Sequence, residues 1–213
     1  MSKLFIKFRF FFYFIKSKFL KKKIYSEKTQ LNLFKKLILK YNFKSFWFLN
    51  NFQIFEYFLP KDLNKKFNYL EIGTYEGLSL LYVLHKYKKI NATGIDVINI
   101  LNKKVKSFKN LRMLKSDSII ALRKLNQKKK RFDYIYVDGF HHGEHTIVDA
   151  IESFKLLEYQ GIMIFDDFMS VDSKLKYQCS EGLYYFLRFF NKEIKILYFQ
   201  NLLVIKKIRN NFI

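Results

Sequence analysis

Two apolar runs in the second half of the chain each end abruptly in acidic residues. One covers residues 132–137 and precedes Asp138; the other covers 162–165 and precedes Asp166 and Asp167. A short apolar run bounded by turn residues is typical of a buried strand in a parallel sheet. Ligands of open α/β sheets bind beyond the carboxyl ends of the strands. We therefore expect these three carboxylates at the functional edge of a sheet, where their mutual repulsion favours a bound cation or proton.

Residues 67–213 alternate between short apolar runs and segments with helical periodicity. Such alternation predicts βαβ units and a parallel sheet, and two final runs joined by Gln200 and Asn201 predict an antiparallel hairpin. The predicted fold is a Rossmann-like three-layer α/β sandwich with a seven-stranded, mostly parallel sheet. The predicted strands cover residues 69–74, 92–97, 111–115, 132–137, 162–165, 194–199 and 202–208, and the predicted helices cover 77–87, 100–108, 118–125, 144–157 and 181–190.

Residues 1–66 form a separate predicted unit, a helical, basic and aromatic N-terminal extension to a domain covering 67–213. They contain no glycine and carry 16 basic against 3 acidic side chains. Apolar residues from Leu31 to Tyr41 recur at the spacing of an amphipathic helix. Residues 4–20 have two interpretations. They form either a helix that packs its phenylalanines on the domain or on a second subunit of a homo-oligomer, or a segment that lies on an anionic membrane surface.

The formal net charge of +22 is compatible with nucleic-acid binding. However, Lys, Phe, Ile, Asn and Tyr are abundant along the whole chain, as a drift toward A- and T-rich codons would produce, so nucleic acid is not the expected partner. The single Cys179 excludes an intramolecular disulfide and predicts a reducing compartment, the cytoplasm. We expect no signal peptide, because no small-residue cleavage site is present. We expect no spanning helix, because no uninterrupted apolar stretch reaches about 18 residues.

The first predicted strand leads into a turn that contains two glycines. Glu71 and Gly73 are followed by Gly77 and Ser79, and Asp96 ends the next strand. The glycines allow a sharp turn and a close approach of the backbone to a ligand. An acidic side chain at the end of the second strand can accept hydrogen bonds from both hydroxyls of a ribose. Because the dinucleotide pattern G-x-G-x-x-G is absent from the sequence, these features favour a nucleoside ligand without a diphosphate.

In these motifs the chain resembles the class I S-adenosylmethionine-dependent methyltransferases over residues 67–208. The resemblance implies S-adenosylmethionine as the cofactor, with its methionine part against the first motif and its ribose on Asp96. Ser116 and Asp117 lie where the family contacts the adenine, whereas Tyr75 stands where the family often has glycine. The cofactor-binding residues implied in this way are Glu71, Gly73, Thr74, Tyr75, Gly77, Ser79, Asp96, Ser116, Asp117 and Asp138.

Within this class the chain is most similar to the metal-dependent O-methyltransferases, both the catechol type and the macrocin-type sugar enzymes. In these enzymes one Asp after the fourth strand and an Asp-Asp or Asp-Asn pair after the fifth hold a divalent ion. The resemblance therefore implies a metal site made of Asp138, Asp166 and Asp167. Carboxylate oxygens suit Mg²⁺. The alternative is that Asp166 caps a turn and Asp167 faces solvent.

His141, three residues after Asp138, matches the proposed general base of the sugar-modifying relatives. A helix that begins near Gly143 would keep its imidazole neutral; His142 and His145 are weaker candidates. The implied reaction is methyl transfer to a hydroxyl of a small molecule or sugar, in which the cation lowers the pKa of the hydroxyl and His141 removes its proton. Zinc bound by His141 and His145 is disfavoured, because Gly143 weakens the helix that their spacing requires.

Two other functions fit the sequence. One is a metal-independent methyltransferase that acts on nitrogen or nucleic acid and holds phosphates with the basic extension. The chain lacks the Pro-Pro-aromatic motif of amino-methylating enzymes, since Pro60 is its single proline. The other is a non-catalytic binding protein on the same fold. The family builds its acceptor pocket from the N-terminal segment and the loop after the fifth strand, which implies residues 169–179 in this chain.

Overall fold

The computed structural model describes residues 3–26, 31–98, 100–171, 173–174 and 177–210, with side chains from Phe10 onward. In this part of the chain seven strands form a single sheet. The strands are β1 (Phe67–Ile72), β2 (Ile90–Asp96), β3 (Leu111–Lys115), β4 (Phe132–Val137), β5 (Leu157–Phe165), β6 (Ile194–Phe199) and β7 (Leu203–Lys207). Their order is β3-β2-β1-β4-β5-β7-β6. β1 to β5 are parallel, and β7 runs antiparallel to both β5 and β6.

Two groups of helices cover the faces of the sheet. The helices are α1 (Lys3–Ser26), α2 (Leu31–Lys40), α3 (Phe52–Phe58), α4 (Leu78–Lys86), α5 (Lys103–Lys106), α6 (Ser118–Gln127), α7 (Gly143–Leu156) and α8 (Cys179–Phe189), with a 3-10 helix at Trp47–Asn50 before α3. Apolar residues of α2, α3, α4 and α5 share one core with the first face of the sheet. Apolar residues of α6, α7 and α8 share a second core with the opposite face. The predicted three-layer Rossmann-like fold is confirmed.

α1 runs along the edge of the sheet beside β6. Near its start, Phe10 and Phe14 pack against the second core, and further along Ile24 belongs to the first core. The backbone N–H of Phe199 in β6 donates a hydrogen bond of 2.8 Å to the Ser17 hydroxyl. The extension is therefore part of the two cores, and the predicted division of the chain at residue 66 stays a prediction. No helix among the described residues is long and apolar enough to cross a membrane.

The register of the parallel strands aligns their carboxyl ends. Ile72 of β1 pairs with Ile95 of β2 and with Val137 of β4, and Val137 in turn pairs with Phe165 of β5. The residues that follow these strands therefore meet at one edge of the sheet. The predicted strand 162–165 is the part of β5 in regular register with β4; a β-bulge separates it from Leu157 at the start of β5, which pairs with Phe132.

Candidate active site

The turn after β1 brings two strand ends into contact. Gly73 has a φ of +79°, and a Cβ atom at this position would lie 1.8 Å from the carbonyl oxygen of Asp138, which follows β4. Glycine is required here both by its left-handed conformation and by the close approach of the two backbones. Gly77, with a φ of +84°, is the residue before α4. The turn predicted from the two glycines is therefore present.

Tyr75 adopts the conformation that glycine favours. Its φ is +47°, which accounts for the frequent glycine at this position in the family that the sequence resembles. Its backbone N–H donates a 2.7 Å hydrogen bond to Oδ2 of Asp96, and the N–H of Ile98 donates a 2.8 Å bond to Oδ1. Its ring lies 5.4 Å from the Trp47 ring. The Asp96 carboxylate is thus fixed at the end of β2 and retains lone pairs for further donors.

A cavity of about 750 Å³ opens at this edge of the sheet. It is bounded by the ends of β1, β2, β4 and β5, by the start of α6, by the β6–β7 turn and by the N-terminal extension. Its lining residues are Trp47, Asn50, Asn51, Ile72, Gly73, Tyr75, Ile95, Asp96, Val97, Ser116, Asp117, Ser118, Asp138, Gly139, Phe140, His141, His145, Asp166, Asp167 and Asn201.

Four of the predicted cofactor residues lie behind the cavity wall. Glu71 is fully buried and accepts hydrogen bonds from the Tyr69 hydroxyl at 2.7 Å and the Ser79 hydroxyl at 2.6 Å. Burial raises the pKa of Glu71 to about 7, although both hydrogen bonds act in the opposite direction. Thr74 and Gly77 are also buried. These residues therefore support the turn from inside the protein, while the other predicted cofactor residues line the cavity.

The start of α6 closes the far side of the cavity. Asp117 caps this helix by accepting a hydrogen bond from the N–H of Ile120. The hydroxyl of Ser118, which also lines the cavity, donates a 2.7 Å hydrogen bond to the buried Asp149 of α7. Burial raises the pKa of Asp149 to about 6, and Ser118 offsets part of this effect.

Two aspartates and a histidine converge on the opposite side of the cavity. Nε2 of His141 lies 3.6 Å from Oδ2 of Asp167 and 4.0 Å from Oδ1 of Asp138. One potential ligand atom from each of these three residues lies within 4.8 Å of the other two. About a third of the Asp138 side chain is accessible. Burial of its carboxylate, with the nearby charges of Asp166 and Glu71, raises the pKa of Asp138 well above its usual range.

Asp166 lies beside this group with its carboxylate already hydrogen bonded. Its Oδ2 accepts hydrogen bonds from the Tyr136 hydroxyl at 2.5 Å and from Nδ2 of Asn51 at 2.6 Å, and its Oδ1 accepts one from the N–H of Asp167 at 2.8 Å. Burial raises the pKa of Asp166. The three aspartates of the predicted metal site are thus adjacent, but the structure places His141, rather than Asp166, in the closest group of ligand atoms.

The backbone at Asp167 has an unusual conformation. Its φ is +52°, in the left-handed region. The Ser170 hydroxyl donates a 2.6 Å hydrogen bond to Oδ1 of Asp167, which leaves Oδ2 facing His141. Left-handed backbone at a residue other than glycine costs about 1–3 kcal/mol and concentrates at functional sites. The conformation therefore aims this carboxylate into the cavity at a cost in stability.

Four cavity residues lie outside every motif and strand end that the sequence analysis singled out. Trp47, Asn50 and Asn51 come from the N-terminal extension, and Asn201 comes from the β6–β7 turn. The three extension residues lie in or next to a 3-10 helix, and no motif in the sequence connects them to the strand ends. Asn201 was recognised only as a turn residue.

The remaining predicted candidates have clear positions. His145 lines the cavity, whereas His142 precedes α7 and stacks on the Phe140 ring at 4.3 Å. In the loop 169–179, which the resemblance assigns to the acceptor pocket, residues 172, 175 and 176 lie outside the described part of the chain.

Comparison with known proteins agrees with this fold. Residues 70–168 match a family described as a methyltransferase domain. The MycE methyltransferase of the mycinamycin biosynthetic pathway, solved with Mg, S-adenosylhomocysteine (SAH) and mycinamycin VI, is similar at a TM-score of 0.65 and 20% identity, over 87% of this chain and 56% of the MycE chain. An O-methyltransferase from Bacillus cereus in complex with SAH is similar at a TM-score of 0.59 and 11% identity, over 94% of this chain and all of the other.

No curated protein sequence matches this chain. The strand order, the glycine turn and the aspartate at the end of β2 define the class I S-adenosylmethionine-dependent methyltransferase fold. The chain has this fold, and its residues 70–168 match a methyltransferase domain, so the resemblance stated from the sequence is confirmed at the level of the fold. It spans about half of the length of MycE.

Proposed function

We propose that this protein binds S-adenosylmethionine and transfers its methyl group to a hydroxyl of a small molecule or sugar, with the help of a divalent cation such as Mg²⁺. The observation that carries this proposal is that one cavity is lined by both halves of the required site. Gly73, Asp96 and Asp117 belong to one part of this lining, and Asp138, His141 and Asp167 belong to the part next to it.

The first half of the cavity fits a nucleoside. Asp96 is fixed by backbone N–H groups and can accept ribose hydroxyls with its remaining lone pairs. Gly73 also contributes its backbone to the cavity lining. The exposed rings of Trp47 and Tyr75 provide apolar surface on the same side. These contacts suit a cofactor made of a nucleoside and an amino acid.

The second half of the cavity fits a cation. Asp138 and Asp167 each present a carboxylate oxygen, and Asp166 lies next to both with donors from Tyr136 and Asn51 that fix its orientation. A divalent cation bound by Asp138 and Asp167, with Asp166 beside them, would lower the pKa of an acceptor hydroxyl. Carboxylate oxygens are the ligands that Mg²⁺ prefers. MycE, which has a similar fold, was solved with bound Mg.

The residues of the chain itself would orient the reactants and move the proton. We assign His141 as the group that accepts the proton of the hydroxyl, since its imidazole lines the cavity beside Asp138 and Asp167. The walls formed by Asn50 and Phe140 would enclose the acceptor and hold its oxygen in line with the methyl group. The N-terminal extension is therefore assigned to the acceptor pocket.

Thermal unfolding of the full chain with SAH tests the proposal. Binding at 100 times the dissociation constant stabilises a protein by about 2.7 kcal/mol, which in a chain of this size raises Tm by roughly 5–10 °C. We expect this shift in the wild type and a further shift when Mg²⁺ is added. Asp96→Ala should abolish the response to SAH, and Asp167→Asn should abolish only the response to Mg²⁺.

Asp62→Asn serves as the matched control, because Asp62 is exposed in a surface turn remote from the cavity lining. Its responses should equal those of the wild type. A wild-type protein that does not respond to SAH would refute the assignment as a methyltransferase. A response to SAH with none to Mg²⁺ would instead favour the metal-independent alternative.

A further inference from the structure

The outward face of α1 carries an unusual combination of side chains. Its inward face packs on the domain through residues that recur at helical spacing, which are Phe10, Tyr13, Phe14, Ser17, Leu20 and Ile24. The opposite face exposes Phe12, Ile15 and Phe19, at 60%, 36% and 70% of their surface. At about 100° per residue these three positions fall within a narrow stripe directly opposite the packed face. We call it the outer stripe.

Lysines border the outer stripe on both sides. Lys16 and Lys23 lie along one flank, and Lys18 and Lys22 lie along the other, all of them exposed. Between Lys3 and Ser26 the chain carries eight basic residues and no acidic residue. An apolar stripe between two rows of lysines is the pattern of a helix that lies in a membrane interface, with its apolar side chains among the acyl chains and its ammonium groups at the headgroups.

α1 is also held in an orientation that presents this stripe. The Ser17 hydroxyl accepts a hydrogen bond from the N–H of Phe199, and Nε2 of Gln200 donates a 3.0 Å hydrogen bond to the carbonyl of Phe14. The Phe10 and Phe199 rings stack at 5.5 Å. Because the inward face is fixed on the sheet edge in this way, the outer stripe projects away from the domain and can meet a flat surface along its length.

We propose that the outer stripe and its flanking lysines dock this protein onto an anionic lipid surface. Charge decides between the potential occupants of this face. A second copy of the chain would place eight basic residues against eight others, with no acidic residue on either helix to offset them. A double-stranded nucleic acid would satisfy the lysines but leave the phenylalanine side chains of the stripe in water, because its bases are already paired and stacked. Anionic headgroups above acyl chains satisfy both parts of the face.

Sedimentation with lipid vesicles tests this proposal on the full chain. The protein should bind mixed vesicles of phosphatidylcholine and phosphatidylglycerol, bind pure phosphatidylcholine vesicles at least about tenfold more weakly, and lose affinity as salt is raised. Phe12→Ser/Ile15→Ser/Phe19→Ser and Lys16→Gln/Lys22→Gln/Lys23→Gln should each reduce affinity for the mixed vesicles by roughly tenfold or more. Failure of the wild type to bind the mixed vesicles would overturn the proposal.

Matched variants show whether lipid binding depends on the outer stripe and its lysines or only on net charge and exposed apolar surface. Lys103→Gln/Lys109→Gln/Lys124→Gln removes the same charge from exposed positions elsewhere, and Leu33→Ser/Leu39→Ser removes exposed apolar side chains of α2. Both should bind the mixed vesicles as the wild type does. A loss in the lysine control equal to that of the α1 lysine variant would overturn the proposal, since binding would then follow net charge alone.

A fluorescence measurement keeps the test valid if the multiple variants fold poorly. Phe19→Trp places an indole in the outer stripe, and Leu39→Trp places one on exposed α2, each against the same background from Trp47. Vesicles with brominated acyl chains should quench the Phe19→Trp protein and leave the Leu39→Trp protein unchanged. Equal quenching of the two proteins would show that another surface contacts the lipid. A lipid-free dimer that the stripe variant abolishes would show that a second copy of the chain covers this face.

Discussion

Nδ2 of Asn51 donates a 2.6 Å hydrogen bond to Oδ2 of Asp166 inside the protein, although 115 positions separate the two residues in the sequence. Asn51 directly precedes α3, and Asp166 directly follows β5. The N-terminal extension therefore does more than cover the cavity, because one of its side chains fixes a carboxylate beside the candidate metal site.

Asn51→Ala should destabilise the protein and weaken its response to Mg²⁺. A buried hydrogen bond to a charged group contributes about 1.5–3 kcal/mol, and its loss leaves the Asp166 carboxylate without one of its two side-chain donors. Urea unfolding and the Mg²⁺-dependent thermal shift with SAH measure the two effects. Asn50→Ala is the matched control, since Asn50 also lines the cavity, and it should change stability by less than about 0.5 kcal/mol. Equal behaviour of the two variants would contradict the role of Asn51.

His141→Gln and Asp167→Asn should differ in their affinity for Mg²⁺, which distinguishes a general base from a residue that binds the cation. Both side chains belong to the same cluster of potential ligand atoms, but we assign proton transfer to His141 and cation binding to Asp167. A Mg²⁺ titration followed by thermal unfolding with SAH present should give a wild-type affinity for His141→Gln and a loss of at least tenfold for Asp167→Asn. An equal loss in His141→Gln would identify the histidine as a ligand instead.

Gly73→Ala should be strongly destabilising. An alanine Cβ would lie 1.8 Å from the Asp138 carbonyl oxygen, in a backbone conformation that L-residues rarely adopt. We expect a loss of about 3 kcal/mol or more, or roughly 6–12 °C in Tm. Gly139→Ala is the comparison, because a Cβ there would first meet the Ile72 side chain at 3.2 Å. It should cost about 1 kcal/mol, so similar Tm values for the two variants would argue against this turn geometry.

Asp149 should make stability depend on pH. Burial raises its folded pKa to about 6, from 3.8, so the folded state binds more protons than the unfolded state between these values. The contribution of Asp149 to the free energy of unfolding therefore falls as pH rises through this window, by up to about 3 kcal/mol. Asp149→Asn removes the ionisation and retains an acceptor for Ser118.

Urea unfolding across pH 4 to 7 measures this effect as a difference between the variant and the wild type. The stability of Asp149→Asn relative to the wild type should rise between about pH 4 and 6 and stay constant above that range. The exposed Asp62→Asn should show no such rise. A constant difference between Asp149→Asn and the wild type would indicate that Asp149 titrates normally.

The sheet and most of the cavity were predictable because they depend on local patterns. β3, β4 and β6 have the predicted bounds, since an apolar run that ends at a turn or a carboxylate defines a buried strand without reference to the rest of the chain. The carboxyl ends of parallel strands meet at one edge, so Asp96 and Asp138 were placed correctly in the cavity lining from their order alone. Local patterns do not give the direction in which each side chain points, so the 3.6 Å approach of His141 Nε2 to Oδ2 of Asp167 was not predicted.

The N-terminal extension shows why the rest was not predictable. α1 has apolar side chains on both its packed and its exposed face, so the helical period that normally identifies a buried face is lost. Asn51 contacts Asp166 only after the extension folds over the end of β5, and no local pattern encodes a contact between such distant segments.

The packing of α1 on β6 also has a consequence for synthesis of the chain. Ser17 and Phe199, which hydrogen bond to each other, are 182 positions apart. During translation the aromatic inward face of α1 leaves the ribosome long before its partner strand exists, at about 5–20 residues per second. For roughly 10–35 seconds this face has no surface of its own protein to cover it, so its aromatic side chains stay exposed to aggregation until β6 and β7 are made.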